Sequence, residues 1–207
     1  AALQDAGGVG TTVSEALTDL SARGIINRND FIGLDDLSQF RFFSNSFDTK
    51  TQGIDVVGRY GFDLGGGFSN LTLAANYNRT EVTDRGTLNP ISDGRVRALE
   101  DLLPNLKGNI TWNHSQDKWR TMLRANYYGG WDDTGNGVDD ISAEVLFDAE
   151  GAYSFVAGFE LIGGVANFLD NYNDENPGAG GLGQLYSEAG PFGFNGGQYY
   201  VRARYTF

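Results

Sequence analysis

The last nine residues, 199–207, alternate strictly between two kinds of side chain. One kind is apolar or aromatic and comprises Tyr199, Val201, Ala203, Tyr205 and Phe207. The other kind is polar and includes Arg202 and Arg204, so the strand face that carries them must contact water. Alternation with a period of two indicates a β-strand, and a wet face opposite an apolar face with aromatic ends is typical of a lipid-embedded β-barrel. The last strand of a soluble β-sandwich shows the same alternation and is the alternative for this segment alone.

The composition excludes several classes of protein. The 207 residues contain no cysteine, which rules out a disulfide framework and a thiolate metal site. The formal net charge is −12 and no basic stripe is present to neutralise phosphates, so we expect no nucleic-acid partner. No apolar run approaches the roughly 20 residues of a membrane helix, but alternating barrel strands produce no such run. We expect no cofactor.

Residues 1–37 show no strand pattern. Thr12 and Glu15 fit a capping box, in which each side chain covers a free amide of the first helical turn. Apolar residues then recur at helical spacing, which predicts one short helix near residues 13–23. We therefore expect residues 1–37 to form an extracellular loop segment with a short helix. The chain starts without an initiator methionine or a signal segment, which favours the C-terminal part of a longer chain.

From Ser38 onwards the period changes to two, and turn signals separate seven strand-like stretches. Their connections alternate between short ones near 65–69, 114–117 and 156–158, and long ones near 80–104, 132–140 and 171–198. All long connections then lie at one end of an antiparallel sheet, as in outer-membrane barrels with short periplasmic turns and long external loops. We expect residues 38–207 to form C-terminal strands and external loops of a transmembrane β-barrel. Seven strands alone would leave open edges in lipid, so further strands must come from other sequence.

The predicted strands separate aromatic and charged side chains on two faces. Aromatic residues cluster near the strand ends of one face, as girdles at membrane interfaces require. The other face is expected to line the lumen and collects Arg120, Arg124, Glu144, Asp148, Arg202 and Arg204. A lumen with so many charges must hold water or a plug, because a small barrel filled by its own side chains would not tolerate them.

Several segments after residue 38 resemble the C-terminal barrel part of TonB-dependent outer-membrane receptors. They are Phe42–Asn45 with Thr51–Asp55, Asn76–Asn78, Pro104 with Lys107 and Asn109, Gly164–Asp170, and Pro191–Gly193 before the terminal strand. The most specific combination is Asn167-Phe168-Leu169-Asp170 followed by a strand that ends in Phe207. Many family members have Leu-Phe where this chain has Phe168-Leu169. The resemblance implies a barrel of about 22 strands with a plug domain inside it. No plug domain is recognised in these residues.

The resemblance also implies a location in the outer membrane of a Gram-negative bacterium, and a set of partners. These are the remaining barrel strands and plug domain, an inner-membrane energy-coupling complex, the barrel-assembly machinery, and lipopolysaccharide with membrane lipid. The assembly machinery would capture the last strand by edge pairing. The expected assembly signal is the apolar face of that strand, made of Tyr199, Val201, Ala203, Tyr205 and Phe207.

The leading functional hypothesis is an active-transport receptor for a scarce nutrient such as a metal chelate, an oligosaccharide or a vitamin. A passive outer-membrane porin or another barrel without a plug is the alternative, and upstream sequence would separate the two. An outer-membrane enzyme is disfavoured because His114 is the only histidine and would have to serve every catalytic role. A soluble carbohydrate-binding sandwich is the last rival. We expect His114 to be a surface residue in a short turn.

Candidate ligand contacts lie in the predicted external loops and comprise Arg85, Arg95, Arg97, Trp131 and Tyr186. Loops that are only solvated, or that bind lipopolysaccharide, would contain the same residue types. The acidic stretch Asp132–Asp140 offers oxygen ligands for calcium but lacks the glutamate that ends an EF-hand-like loop. A solvated acidic loop is therefore the preferred interpretation, and no metal site is predicted.

Overall fold

The structure is a computed structural model that describes residues 12–33, 47–86, 90–136, 138–156, 158–176, 183 and 185–207. It divides into one compact unit of Ala1–Lys50 with Val82–Asp93, and a second of Thr51–Glu81 with Gly94–Phe207. The predicted domain boundary between residues 37 and 38 lies outside the described residues and stays a prediction. The same holds for the segment Phe42–Asn45.

The first unit contains the predicted helix, α1, at Val13–Ala22. The Thr12 hydroxyl accepts a hydrogen bond from the Glu15 amide at 3.3 Å, and the Glu15 carboxylate accepts one from the Thr12 amide at 3.1 Å. The buried side of the helix is formed by Ala16, Leu17 and Leu20, packed against Val13, Ile25, Ile26 and Phe31. A 3-10 turn follows at Arg28–Phe31. The short helix and its capping box are thus confirmed.

The other described elements are strands, one further helix and a 3-10 turn at Thr134–Asn136. The strands are β1 Asp48–Leu64, β2 Gly67–Asp84, β3 Leu106–Gln116, β4 Trp119–Tyr128, β5 Trp131–Asp133, β6 Val138–Ile141, β7 Glu144–Val156, β8 Phe159–Ala166 and β9 Gln198–Tyr205. The helix α2 covers Asp93–Glu100. Seven strands form one sheet in the order β1-β2-β3-β4-β7-β8-β9, and β5 and β6 pair separately. From β2 onwards each neighbouring pair in the sheet is antiparallel, so the predicted antiparallel fold is confirmed. In the described part of the chain, no helix combines the length and apolar character needed to cross a membrane.

The connections differ between the two ends of the sheet. At one end, here called the turn end, the chain reverses at Gly65–Gly66, Asp117–Lys118 and around Gly158. Gly65 and Gly66 have φ of 60° and 86°, as a two-residue hairpin turn requires at both central positions. At the other end, the loop end, long connections follow β2, β4 and β8. The predicted alternation of short and long connections is therefore confirmed.

The structure corrects the predicted boundaries of three elements. A polar connection is expected from about Thr80, but β2 continues to Asp84 because its backbone keeps pairing through polar residues. The strand expected to end at Asp170 instead ends at Ala166, since Asn167 turns the chain with a φ of 50°. His114 lies inside β3 rather than in a turn. Its Nδ1 is 2.9 Å from the Ser69 hydroxyl, and its ring stacks on Trp112.

Candidate functional site

The strand register assembles the polar side chains of the sheet on one face, here called the polar face. Residues directly opposite each other in neighbouring strands share a face. Three rows of such partners cross the sheet near its loop end. They are Asn76, Lys107, Tyr128 and Glu144; Ala74, Asn109, Asn126 and Leu146; and Thr72, Thr111, Arg124 and Asp148. Charge and hydrogen-bonding capacity are therefore concentrated on this face.

A charged cluster continues the polar face towards the turn end. Arg120 lies 2.9 Å from the Glu160 carboxylate and 3.8 Å from that of Glu150. The Tyr200 hydroxyl donates to Glu150 at 2.7 Å, and Arg202 lies 5.6 Å from the centre of the Tyr200 ring. Register places Arg204 opposite Glu160. Arg120, Arg124, Glu144, Asp148, Arg202 and Arg204 thus share one face, and their assignment to a lumen stays a prediction.

The opposite face, here called the apolar face, has aromatic rings at both ends. At the turn end Trp119 lies 4.5 Å from Tyr153, which lies 4.7 Å from Phe155 in an edge-on contact. Tyr127 lies at the loop end of β4, and at about 3.3 Å per residue it is about 26 Å from Trp119 along the strand. That separation is close to the roughly 25 Å apolar band of membrane barrels. Aliphatic side chains between the two ends are exposed, for example Leu123 at 45%.

The terminal strand continues the apolar face. Tyr199, Val201, Ala203 and Tyr205 stand opposite apolar-face residues of β8. The Phe207 ring lies 6.1 Å from that of Tyr205, and its side chain is fully exposed. The residues predicted to form the assembly signal are therefore accessible on one side of the strand, while their recognition by other proteins stays a prediction.

A cleft of about 320 Å³ opens on the polar face near the loop end. Its polar lining comprises Asp55, Asn76, Lys107, Asn109, Asn126 and Tyr128. Asn76 donates a hydrogen bond to Asp55 at 2.6 Å, and Asn126 donates one to Asp148 at 2.8 Å. Lys107 and Asn109, both half-buried, make no side-chain hydrogen bond or ion pair with any residue that the structure describes. The cleft therefore contains unused donors and an unused acceptor.

One buried carboxylate, that of Asp132, joins three segments at the loop end. Its Oδ2 lies 2.6 Å from the Arg97 guanidinium of α2, and its Oδ1 accepts a hydrogen bond from the Asp140 amide at 2.7 Å. The Asp132 amide donates to the Asp101 carbonyl at 2.7 Å. The β5–β6 hairpin is therefore tied to α2 by the Arg97 ion pair and to the residue after α2 by one backbone hydrogen bond.

A second set of contacts ties this hairpin to the connection 167–197. The Ser187 hydroxyl donates to the Asp133 carboxylate, and both residues are buried. The Ser142 amide donates to Asp174 at 2.7 Å. Asn173 is also buried, and neither of its side-chain polar atoms has a hydrogen-bond partner among the described residues. The interpretation of Asp132–Asp140 as a solvated loop is wrong for Asp132 and Asp133, because distant segments cover both side chains.

The Asn167–Asp170 segment fixes the two ends of the last connection. The Asn167 side chain donates to the Asn171 carbonyl at 2.8 Å and accepts from the Asn171 amide at 3.1 Å. The Asp170 carboxylate accepts from the Gly197 amide at 2.8 Å, just before β9 begins. This explains physically why an asparagine and an aspartate flank the two apolar residues of the segment.

Aromatic residues of the last connection face both the solvent and the sheet. Tyr172 stacks on Tyr186 at 5.3 Å, with nearly parallel rings. The Tyr172 hydroxyl donates to Asp170, and this hydrogen bond raises the pKa of the tyrosine. Phe192 reaches Tyr128 of the polar face, with ring centres 5.0 Å apart. The last connection thus packs against the rim of the cleft.

The carboxyl group of Asp101, next to the Asp132 network, has a raised pKa. Partial burial is the main cause, followed by the nearby carboxylates of Asp132 and Glu100. Arg97 and Arg79 oppose the shift. Negative charge is therefore crowded where α2 meets the hairpin.

The predicted ligand contacts occupy different environments. Arg85 pairs with Asp93 inside the first unit, and Arg95 is exposed on α2. Arg97 is engaged by Asp132, Tyr186 is half-buried on Tyr172, and Trp131 is buried at 4% exposure. Tyr186 is therefore more accessible to solvent than Trp131. Their roles in binding stay predictions.

The sequence marks Asn76, Lys107 and Asn109 as points of family resemblance but does not group them as parts of one cleft. Asn76, Asn109 and Asn126 each occupy a polar-face position of a different strand. Three amides at polar positions of neighbouring strands indicate a hydrogen-bonding surface once the register is known. In the described part of the chain, no three His, Cys, Asp or Glu residues are grouped in a way that would hold a metal ion.

Comparison with known proteins agrees with this two-faced sheet. The model of a family described as TonB dependent receptor-like, beta-barrel, matches residues 24–168. No curated protein matches the chain. A solved structure described as Copper transporter OprC is similar, with 16% sequence identity and a TM-score of 0.50 over 78% of this chain. The chain covers 24% of that structure, and the likeness concerns the fold. Since the family model spans most of the sequence, the chain belongs to the TonB-dependent receptor-like β-barrel family.

Proposed function

We propose that the chain is a wall segment of an outer-membrane receptor that imports a scarce nutrient with energy coupled from the inner membrane of a Gram-negative bacterium. The observation that carries the proposal is the sheet of a TonB-dependent receptor-like barrel, with an apolar face opposite a charged one. The nutrient class includes metal chelates, oligosaccharides and vitamins. The copper named for the similar structure is not carried over, because 16% identity supports the fold alone.

The two faces suit this role for a physical reason. The apolar face would contact lipid, and charged residues such as Arg120 and Glu150 would be costly there. The polar face would therefore face a water-filled lumen or a plug domain. The proposal thus includes the remaining strands, the plug, the inner-membrane energy-coupling complex, the assembly machinery, lipopolysaccharide and membrane lipid as partners. No catalytic step is part of it.

Uptake by whole cells tests the proposal. Cells with and without the full-length protein would receive labelled ferric citrate, cobalamin or neutral oligosaccharides. We expect protein-dependent accumulation of one probe, and its loss when the inner-membrane coupling complex is deleted. Accumulation that persists without the complex, together with an open conductance in planar bilayers, would instead identify a passive porin.

A further inference from the structure

From the cleft on the polar face, we infer that the ligand of this protein is neutral and polyhydroxylated, as a segment of an oligosaccharide is. This inference rests on the proposed function, since it names the substrate class of the same receptor. The cleft lies within the second unit, and its volume of about 320 Å³ is at the lower end of small-molecule sites. A site of that size would hold one part of a longer chain of sugars.

The unused polar groups of the cleft match sugar hydroxyls. The Asn109 amide has two donor hydrogens and an acceptor oxygen in one plane, and Lys107 has three donor hydrogens. Each hydroxyl of a sugar both donates and accepts, so adjacent hydroxyls pair with such an amide. Half-buried groups without partners lose solvation, and a ligand that supplies hydrogen bonds recovers it. The side chains of Lys107 and Asn109 are both half-buried, and neither has a partner among the described residues.

The non-polar part of the lining also suits a sugar ring. Ala74 stands opposite Asn109 in register, and its short side chain leaves space on the sheet surface. Val57, which is 67% exposed, adds an apolar patch for the C–H face of a ring. Tyr128 contributes its hydroxyl at the rim, where Phe192 of the last connection packs against its ring.

The charges at the loop end disfavour an anionic chelate. Connection 129–143 contains four Asp residues, and 167–197 contains four Asp or Glu residues; neither contains Lys, Arg or His. The first long connection adds three Arg and three acidic residues, so the three connections together remain net negative. A net negative field repels an approaching anion and slows its association. Inside the cleft, by contrast, Lys107 and Asp55 are opposite in sign. A neutral ligand is not repelled by the acidic connections, and it places no net charge beside Lys107 or Asp55.

Binding by the full-length receptor in detergent tests the inference. The probes are neutral malto-, cello- and xylo-oligosaccharides, with ferric citrate as the anionic comparison. We expect binding to one neutral series, weakened about tenfold by Asn109→Leu, which keeps the volume and removes one or two hydrogen bonds. Lys107→Met should weaken binding in the same direction. The matched control is Asn113→Leu, on the same strand and face but outside the cleft lining, and it should bind like wild type.

Three outcomes would overturn the inference. The first is ferric citrate binding without binding of any neutral oligosaccharide, and the second is an equal loss in the Asn109 and Asn113 variants. The third is that Asn109→Leu and Lys107→Met lower only the melting temperature, which would mean that protein fills the cleft. Energy-coupled uptake of a different ligand would reject this inference and leave the proposed function intact. Oligosaccharide binding with coupling-independent uptake would reject the function alone.

Discussion

Among single residues, Asp132 joins several segments at the loop end. Its carboxylate accepts from Arg97 and from the Asp140 amide, and it is largely covered, with a side-chain exposure of 12%. Removal of a buried acceptor leaves its donors without partners, which costs more than the hydrogen bond itself contributes. The integrity of the hairpin should therefore depend on this one group.

We predict that Asp132→Asn lowers the free energy of local opening of the hairpin by about 1–3 kcal/mol. Hydrogen exchange of the amides in 129–143 would measure this. The control is Asp93→Asn, which breaks the exposed pair with Arg85 and should change the free energy by less than about 1 kcal/mol. Equal acceleration of exchange in both variants would contradict a special role for Asp132.

Asp101 should make the loop end more stable in acid than at neutral pH. A raised carboxyl pKa means that the folded state holds the proton more tightly, so the stabilisation is present below the ordinary aspartate pKa of 3.8. It is lost as pH rises through the higher pKa of the folded state. Asp101→Asn should therefore slow hydrogen exchange of this region at pH 7 relative to wild type, with little difference near pH 3. A variant that exchanges faster than wild type at pH 7 would contradict this sign.

The buried aspartates could not be predicted from the sequence. The stretch around Asp132 is rich in polar residues and glycine, which is typical of a solvated loop. Its partners are remote, because Arg97 is 35 positions away from Asp132 and Ser187 is 54 away from Asp133. Burial that depends on such contacts leaves no local pattern.

At the scale of elements, the Asn167–Asp170 segment ends β8 and begins the last connection. Asn167 has a φ of 50°, a conformation that glycine and asparagine adopt more easily than alanine does. Its side chain also forms two hydrogen bonds to the backbone of Asn171. Conformation and hydrogen bonding thus both favour asparagine here.

Two variants would separate these contributions. Asn167→Gly removes only the hydrogen bonds, whereas Asn167→Ala removes them and adds strain of about 1–2 kcal/mol. A folded barrel migrates faster in a gel than the unfolded chain, and heating abolishes this difference. We expect the temperature of that change to fall more for the alanine variant than for the glycine variant. If glycine were as damaging as alanine, the hydrogen bonds alone would account for the asparagine.

Elements with a local pattern were predictable, and those without one were not. The capping box and apolar spacing of α1 are contained within a few residues, as is the alternation of β9. By contrast, β5 has three residues, and α2 has eight residues with only Val96 buried. Such short polar elements owe their stability to packing against distant segments, so no periodicity marks them.

At the scale of the whole molecule, the two faces should differ in solvent. The chain contains no cysteine, so single cysteines can report on each face. We expect Leu123→Cys to react with a lipid-soluble maleimide and the adjacent Arg124→Cys with a water-soluble one, in cells that carry the full receptor. Reaction of both positions with the water-soluble reagent would contradict a lipid-facing apolar face. The two faces could be predicted because the alternation of side chains along a strand is visible in the sequence of that strand. The same alternation does not show which other strands complete the barrel.

The terminal Phe207 should affect assembly more than stability. If edge capture by the assembly machinery reads the apolar face of β9, Phe207→Ser lowers the amount of assembled receptor strongly. A purely structural side chain would instead contribute about 1.5–3 kcal/mol to the stability of the inserted protein. The measurements are surface-exposed receptor per cell and the heat resistance of the inserted fraction. Unchanged insertion would reject the assembly role.

On the proposed orientation, in which the loop end lies outside the cell, the acidic connections have a consequence for protease digestion. Trypsin cuts only after lysine or arginine, and 129–143 and 167–197 contain neither. The guanidinium of Arg97, in the first long connection, is engaged by Asp132. A bacterium shaved with trypsin should therefore keep these two segments, whereas a glutamate-specific protease has exposed targets at Glu175 and Glu188. Trypsin would instead cut in the first long connection, where Arg95 is exposed.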